Sequence, residues 1–308
     1  MLDKPQDLRI RKMVSDWEPA VEPTTVKIDS SRMEELHHLL LKEKQVTEAK
    51  TTNRYEAFRM TYAGGLMIGY TSGKIVVNGE QCEALLAKVL EHMDFEESRY
   101  DITIGSDEAG KGEWLGPMVV AAVALTPTQS AALRSMGVMD SKALSQKKIA
   151  ELKEKITANS TAVRTVLVSS QTFNKRMGQL HEERKNLNDL LAWAHAKVVG
   201  EVYDELKRTR AVARMNVVID EFSKLKTEDR LSRVLSLKQV DVVQRPRAED
   251  EIAVAAASIV ARRLREEWID DWSRRLGIDL RNLTAQEAAD RQDADTIAKT
   301  GYLKKTSE

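Results

Sequence analysis

Cysteine is almost absent from this chain of 308 residues: Cys82 stands alone. That excludes an intramolecular disulfide framework and a metal site built from several thiolates. Net charge is absent too, with Lys+Arg and Asp+Glu both at 48, so the whole-chain balance favours no partner of either sign and any nucleic-acid contact must come from local patches. No run approaches the roughly 18 apolar residues that span a bilayer, so no membrane partner is expected. Residues 1–12 lack the apolar core of a secretion signal, and the expectation is a cytoplasmic protein. Ligand-like histidine spacing is also lacking: His37, His38, His92, His181 and His195 are scattered. His195 falls within a Leu-rich helical stretch and reads as a hydrogen-bonded core residue.

The length suits about two domains. Residues 1–23 read as an irregular arm. From 24 to 94 the pattern is that of a small α+β module. A strand at Thr25–Ile28 leads to Ser31-Arg32-Met33-Glu34, a capping-box spacing that opens a helix ending near Lys44. Alternating runs at 55–62, 66–71 and 74–77 are parted by Gly64-Gly65 and Ser72-Gly73, which are hairpin signals. A helix then repeats Cys82, Leu85, Leu86, Val89, Leu90 and Met93 on one face. Phe58 and Cys82 read as core, and Tyr70 is left open between core and stacking.

The remainder, 98–308, alternates strands and helices as an α/β sheet does. Strands are expected at 100–106, 118–125, 163–168, 217–219 and 240–243. Helices are expected at 145–157, 187–208 and 253–275, with a polar stretch after Leu280. Trp268 and Trp272, four apart, are expected to pack against the sheet.

Acids are what stand out. Asp107-Glu108 sit at the expected end of a buried strand, Asp220-Glu221 follow Val217-Val218-Ile219, and Glu249-Asp250-Glu251 precede an Ala-rich helix. Carboxylates so placed are unfavourable unless donors or metal compensate them. Hard oxygen donors without His or Cys suit Mg²⁺ or Mn²⁺, and two such ions could serve phosphodiester hydrolysis. Taken singly, each cluster also fits a helix cap or a solvated surface. Gly105 to Lys111 matches the phosphate-loop spacing, but Gly112 stands where Ser or Thr would hold Mg²⁺, and Asp107 and Glu108 would repel the phosphates. An NTPase is therefore disfavoured. A nucleic-acid binder with an inactive site is disfavoured as well, since acids at three places repel phosphate. Glycines at 110 and 112 would let a nucleic-acid backbone approach the peptide groups. Arg245, Arg247, Arg262, Arg263, Lys142, Lys147 and Lys148 could line a phosphate path, though each singly fits a solvated face.

These residues resemble ribonucleases HII and HIII. The resemblance rests on Gly105-Ser106-Asp107-Glu108 with Gly110-Lys111-Gly112 and Gly116-Pro117, on Asp140-Ser141-Lys142, on Asp220 closing a strand, and on Ala255 to Ala261 around Ser258. Glu249 at the fourth acidic position and the stretch 186–193 are more like type HIII. Residues 24–94 resemble the TBP-like domain that precedes the catalytic domain there, notably in Tyr70-Thr71-Ser72-Gly73-Lys74 and Asn78-Gly79. The resemblance implies a ribonuclease H-like mixed sheet flanked by helices, preceded by a TBP-like domain that binds an RNA/DNA hybrid. It implies an endoribonuclease that cuts the RNA strand with two Mg²⁺ or Mn²⁺ ions, leaving 3′-hydroxyl and 5′-phosphate ends. Asp107, Glu108, Asp220 and Glu249 would be catalytic metal ligands, with Asp250 or Glu251 as alternatives for the last. Gly110, Lys111, Gly112, Lys142 and Ser258 would contact substrate. No obligate protein partner is evident, and a monomer is the default. The ending at Ala298-Lys299-Thr300-Gly301-Tyr302 departs from the Lys-x-His-Phe pattern of type HIII, so the resemblance assigns that stretch no role.

Overall fold

A computed structural model describes residues 23–97, 100–139, 144–209, 214–236, 240–246 and 248–303, the side chains of 94–97 excepted. The expected arm thus lies outside the described residues but for Pro23, and so do Asp140, Ser141, Lys142 and Arg247.

The first half builds an antiparallel sheet from β1 (Thr24–Lys27), β2 (Thr47–Glu48), β3 (Glu56–Tyr62), β4 (Gly65–Tyr70) and β5 (Lys74–Asn78), in the order β1-β5-β4-β3-β2. Alternation puts Phe58, Met60, Met67, Ile75 and Val77 inward, where α1 (Met33–Lys42) and α2 (Glu80–Glu97) supply Leu36, Leu40, Leu86 and Leu90. The Ser72-Gly73 turn needs its glycine: φ is +83°, and a Cβ there would lie 2.2 Å from the Ile28 carbonyl oxygen. The expected capping box at Ser31 does not form. Asp29 caps instead, accepting the Ser31 N–H at 2.8 Å, and a short 3-10 turn at Ser30–Arg32 leads into α1.

The second half is a mixed sheet of β6 (Ile102–Ala109), β7 (Met118–Leu125), β8 (Ala162–Val168), β9 (Met215–Asp220) and β10 (Val240–Arg245), ordered β10-β9-β6-β7-β8. β10, β9 and β6 run parallel, while β7 and β8 are antiparallel to their neighbours. Every residue of β7 is buried, for a simple reason. Val120 and Ala122 face a layer formed by α6 (Leu187–Thr209), whereas Val119, Ala121 and Val123 face α4 (Gln146–Asn159) and α8 (Ile252–Leu276). α8 lies unusually close to β6, which its alanines permit. A Cβ on Gly105 would sit 2.1 Å from the Ala253 carbonyl carbon, so only glycine fits there.

The sequence reading left α3 (Pro127–Ser135), α5 (Ser170–Glu182) and α7 (Lys224–Leu231) unassigned. α3 is set by a capping box between Thr126 and Gln129 with proline in its first turn, and its Ala131 enters the core of the first half. After the Gly277 cap come α9 (Ala285–Ala289), α10 (Ala294–Ile297) and α11 (Thr300–Leu303). Trp268 and Trp272 pack against this C-terminal segment rather than the sheet, because α8 outruns the strands.

Candidate active site

Strand register brings the acids together. β6 extends three residues further than the sequence suggested, so Asp107 and Glu108 lie within it, paired with Ala121 and Val120, not at its end. Ser106 is level with Ile219 on parallel β9, which places Asp107 beside Asp220 at the next step. Glu249 lies in a 3-10 turn at Ala248–Asp250, and the Ala248 N–H donates to Asp220 Oδ1 at 3.3 Å. That bond ties the third acidic segment to the second. Of the neighbours left open as alternatives, Asp250 is exposed while Glu249 and Glu251 are half-buried. Glu221 is exposed.

The two β6 acids are held in opposite states. Burial first, and the charge of Glu108 second, push the Asp107 carboxyl up to about 7, with only partial relief from the Ser258 hydroxyl that bonds to it. Ser258, expected to touch substrate, therefore touches an acid of the set. Burial also opposes the charge on Glu108, but His195 and then Lys111 outweigh it and hold this carboxyl well below its usual range. Lys111 Nζ is 3.0 Å from Oε1, and His195 Nε2 is 3.1 Å from Oε2.

His195 is more than a core histidine. Its Nδ1 is 2.8 Å from Ser106 Oγ, and the Ser106 hydroxyl donates to the Ala121 carbonyl, also at 2.8 Å. The Ser106 hydroxyl thus bridges the Ala121 carbonyl and the His195 ring, and the ring is thereby oriented with Nε2 on Glu108. Phe222, two residues after Asp220, stacks on the His195 ring at 5.2 Å, and Lys111 Nζ lies 5.5 Å from the Phe222 centroid. Sequence reasoning assigned no functional part to Ser106, His195 or Phe222. The one available signal was a histidine on the apolar stripe of a helix. Gly110 has φ +81° and would clash with the Pro117 carbonyl if substituted, while Gly112 has open space around it.

Among the described residues no three acids converge closely enough to hold an ion as they stand. Glu108 is engaged by Lys111 and His195, and Asp220 by Ala248. The donor set nevertheless fits a hard divalent cation. All its donors are carboxylate oxygens, and Asp107 resists ionisation in the absence of one. A cleft of about 580 Å³ opens from Glu249 and Asp250 between the two halves, and Lys27, Arg32 and Arg134 are among its lining residues.

The family model described as Ribonuclease HII matches residues 104–301. The Ribonuclease HIII of Protochlamydia amoebophila is 33% identical over 243 residues, covering 75% of each chain. That of Chlamydia pneumoniae is 34% identical over 203 residues, covering 63% of this chain and 64% of its own. In fold the protein is similar to Bst-RNase HIII, solved in complex with Mn²⁺, with a TM-score of 0.58 at 22% identity over 93% of this chain and 99% of that one. It is also similar to Aquifex aeolicus RNase H3, with a TM-score of 0.51 at 20% identity over 90% and 99%. Fold and sequence together define a hydrolase of the ribonuclease H class, an endoribonuclease of a family that acts on the RNA strand of RNA/DNA hybrids. The chain belongs to the ribonuclease HII family, and its curated relatives are of type HIII. Among the described residues no helix is long and apolar enough to cross a membrane.

Proposed function

We propose that this enzyme hydrolyses the RNA strand of RNA/DNA hybrids with two divalent ions, leaving 3′-hydroxyl and 5′-phosphate ends. Asp107, Glu108, Asp220 and Glu249 would hold the ions. The observation that carries the reading is the register placing Asp107 beside Asp220, with the Glu249 turn bonded to Asp220. Bound there, Mg²⁺ or Mn²⁺ supplies charge stabilisation and an activated water for attack on phosphorus.

The chain's own groups prepare that event. Asp107, raised to about 7 by burial and by Glu108, is only partly ionised at neutral pH until positive charge arrives, which limits the uncompensated acid charge in the site. Ser106 and His195 aim Glu108. Gly110 and Gly112 let the RNA backbone approach, and the Lys111 amine lies where it can meet a phosphate. Residues 24–94 act as a TBP-like substrate-binding domain, with the hybrid seated along the cleft, and residues 98–308 act as the catalytic domain. With its single cysteine the protein works in the cytoplasm, as a monomer.

The test is cleavage of a labelled RNA/DNA hybrid with Mg²⁺, with Mn²⁺ and with EDTA, using single-stranded RNA and duplex DNA as controls and analysing product ends. Metal-dependent, hybrid-selective cutting that is lost in Asp107→Asn supports the reading. Folded protein that binds hybrid yet cuts it with neither metal refutes it.

A further inference from the structure

The segment from Ala294 to Leu303 contributes nothing to the acid set, yet it is stitched to the loop between β6 and β7 that carries Gly110, Lys111 and Gly112. The Gly116 N–H donates to the Ile297 carbonyl at 2.8 Å and the Lys299 N–H to the Trp114 carbonyl at 2.7 Å. The Tyr302 hydroxyl donates to the Lys111 carbonyl at 2.8 Å. A bridge between Leu115 and Ala298 completes the seam. Behind it, Asn174 of α5 holds the segment in turn, donating to the Ala298 carbonyl at 2.9 Å and accepting the Thr300 N–H at 3.0 Å.

The side chain of Lys299 is the unusual member. It is fully buried, its Nζ donates to the Gly116 carbonyl at 2.6 Å, and it lies 5.6 Å from the Phe173 ring centroid. Among the described residues no carboxylate bonds to it. Arg265 of α8, also buried, donates to the adjacent Leu115 carbonyl at 2.9 Å and pairs with Glu113 at 2.6 Å. Two buried basic side chains thus secure consecutive carbonyls of one loop. Burial, and then the neighbouring Arg265, push the Lys299 amine down to about 7, which measures how unfavourable the placement is. An apolar side chain of similar length would fill the same volume without that penalty but could not bond the Gly116 carbonyl, which an αL glycine at φ +75° presents to it.

We propose that Lys299 is a positioning residue: by anchoring the Gly116 carbonyl it fixes the conformation of the loop from Gly110 to Gly116 against which the RNA strand lies. The proposal rests on the reading of that loop as a substrate contact. Lys299 is sealed off from substrate and acts only through the loop.

Hydrogen exchange on the full chain without substrate reads the loop directly, and hybrid KM and kcat are measured alongside. In Lys299→Met, exchange across residues 110–116 accelerates about tenfold or more while β6 and β9 stay protected. KM rises by about tenfold, more than kcat falls. Asn174→Ala, which frees the segment from behind and leaves the buried amine in place, shows the same pattern more weakly and serves if Lys299→Met does not fold. Unaltered loop exchange in the folded variants, or equal loosening of the whole catalytic half, overturns the proposal. A loosened loop with wild-type KM and kcat upholds the anchor and instead overturns the assignment of the loop to substrate.

Discussion

Glu56 in the first sheet and Asp107 in the second are inner acids whose environments decide their charge, and the two are opposites. Glu56 at the start of β3 is buried, yet the Arg59 guanidinium, the Thr52 N–H and hydroxyl and the Asn53 amide all donate to it, at 2.7 to 3.2 Å. Its carboxyl is held down to about 2, chiefly by Arg59 and then by the Thr52 N–H. Asp107 on β6 has a like-charged neighbour and too few donors, and rises to about 7. An acid whose needs the protein meets is a structural strut. One whose needs are left unmet is kept for a ligand that arrives later.

The largest break in this comparison comes from Asp107→Asn. Cleavage of hybrid falls by about a thousandfold or more, measured in single turnover, while the circular dichroism spectrum stays native. Residual cleavage within tenfold of wild type would remove Asp107 from the chemistry. His195→Leu leaves Glu108 without its aiming partner, and Mn²⁺ affinity by calorimetry and kcat both drop by about 10- to 100-fold. Wild-type Mn²⁺ affinity in that variant would reduce His195 to packing.

Glu56→Gln tests the other side. It strands the Arg59 charge, so Tm falls by a few degrees while kcat is unchanged. A loss of kcat at constant Tm would contradict the division between the two acids.

The smallest effect is a pH slope. Asp107 titrates at about 7 folded and near 4 unfolded, so between about pH 5 and pH 7 the folded chain keeps a proton that the unfolded chain has shed. Its stabilising contribution is full below pH 4 and drains as pH rises through 7. Glu108, shifted the other way, is ionised in both states across that window and adds no slope. The metal-free Tm of wild type should therefore fall from pH 5 to 7 relative to Asp107→Asn. Parallel curves in a melting series would show that Asp107 is not held protonated.

Much of this molecule can be read along the chain, because much of it is local. The hairpin glycines, the apolar stripe of α2, the unbroken apolar run of β7 and the acids at 107, 108, 220 and 249 all declare themselves within a few residues. α5 and α7 do not, since few of their residues are buried and so little apolar periodicity marks them. Nor does the cap of α1, where Asp29 prevails over Ser31.

What the sequence by itself determined was therefore the alternation of elements and the kinds of residue at the site. What only the tertiary structure decided was which side chains meet. Glu108 is governed by His195, 87 positions away, and the Gly116 carbonyl by Lys299, 183 positions away. Separations of that size leave no periodic trace, because such contacts are set by strand register and helix docking rather than by local geometry.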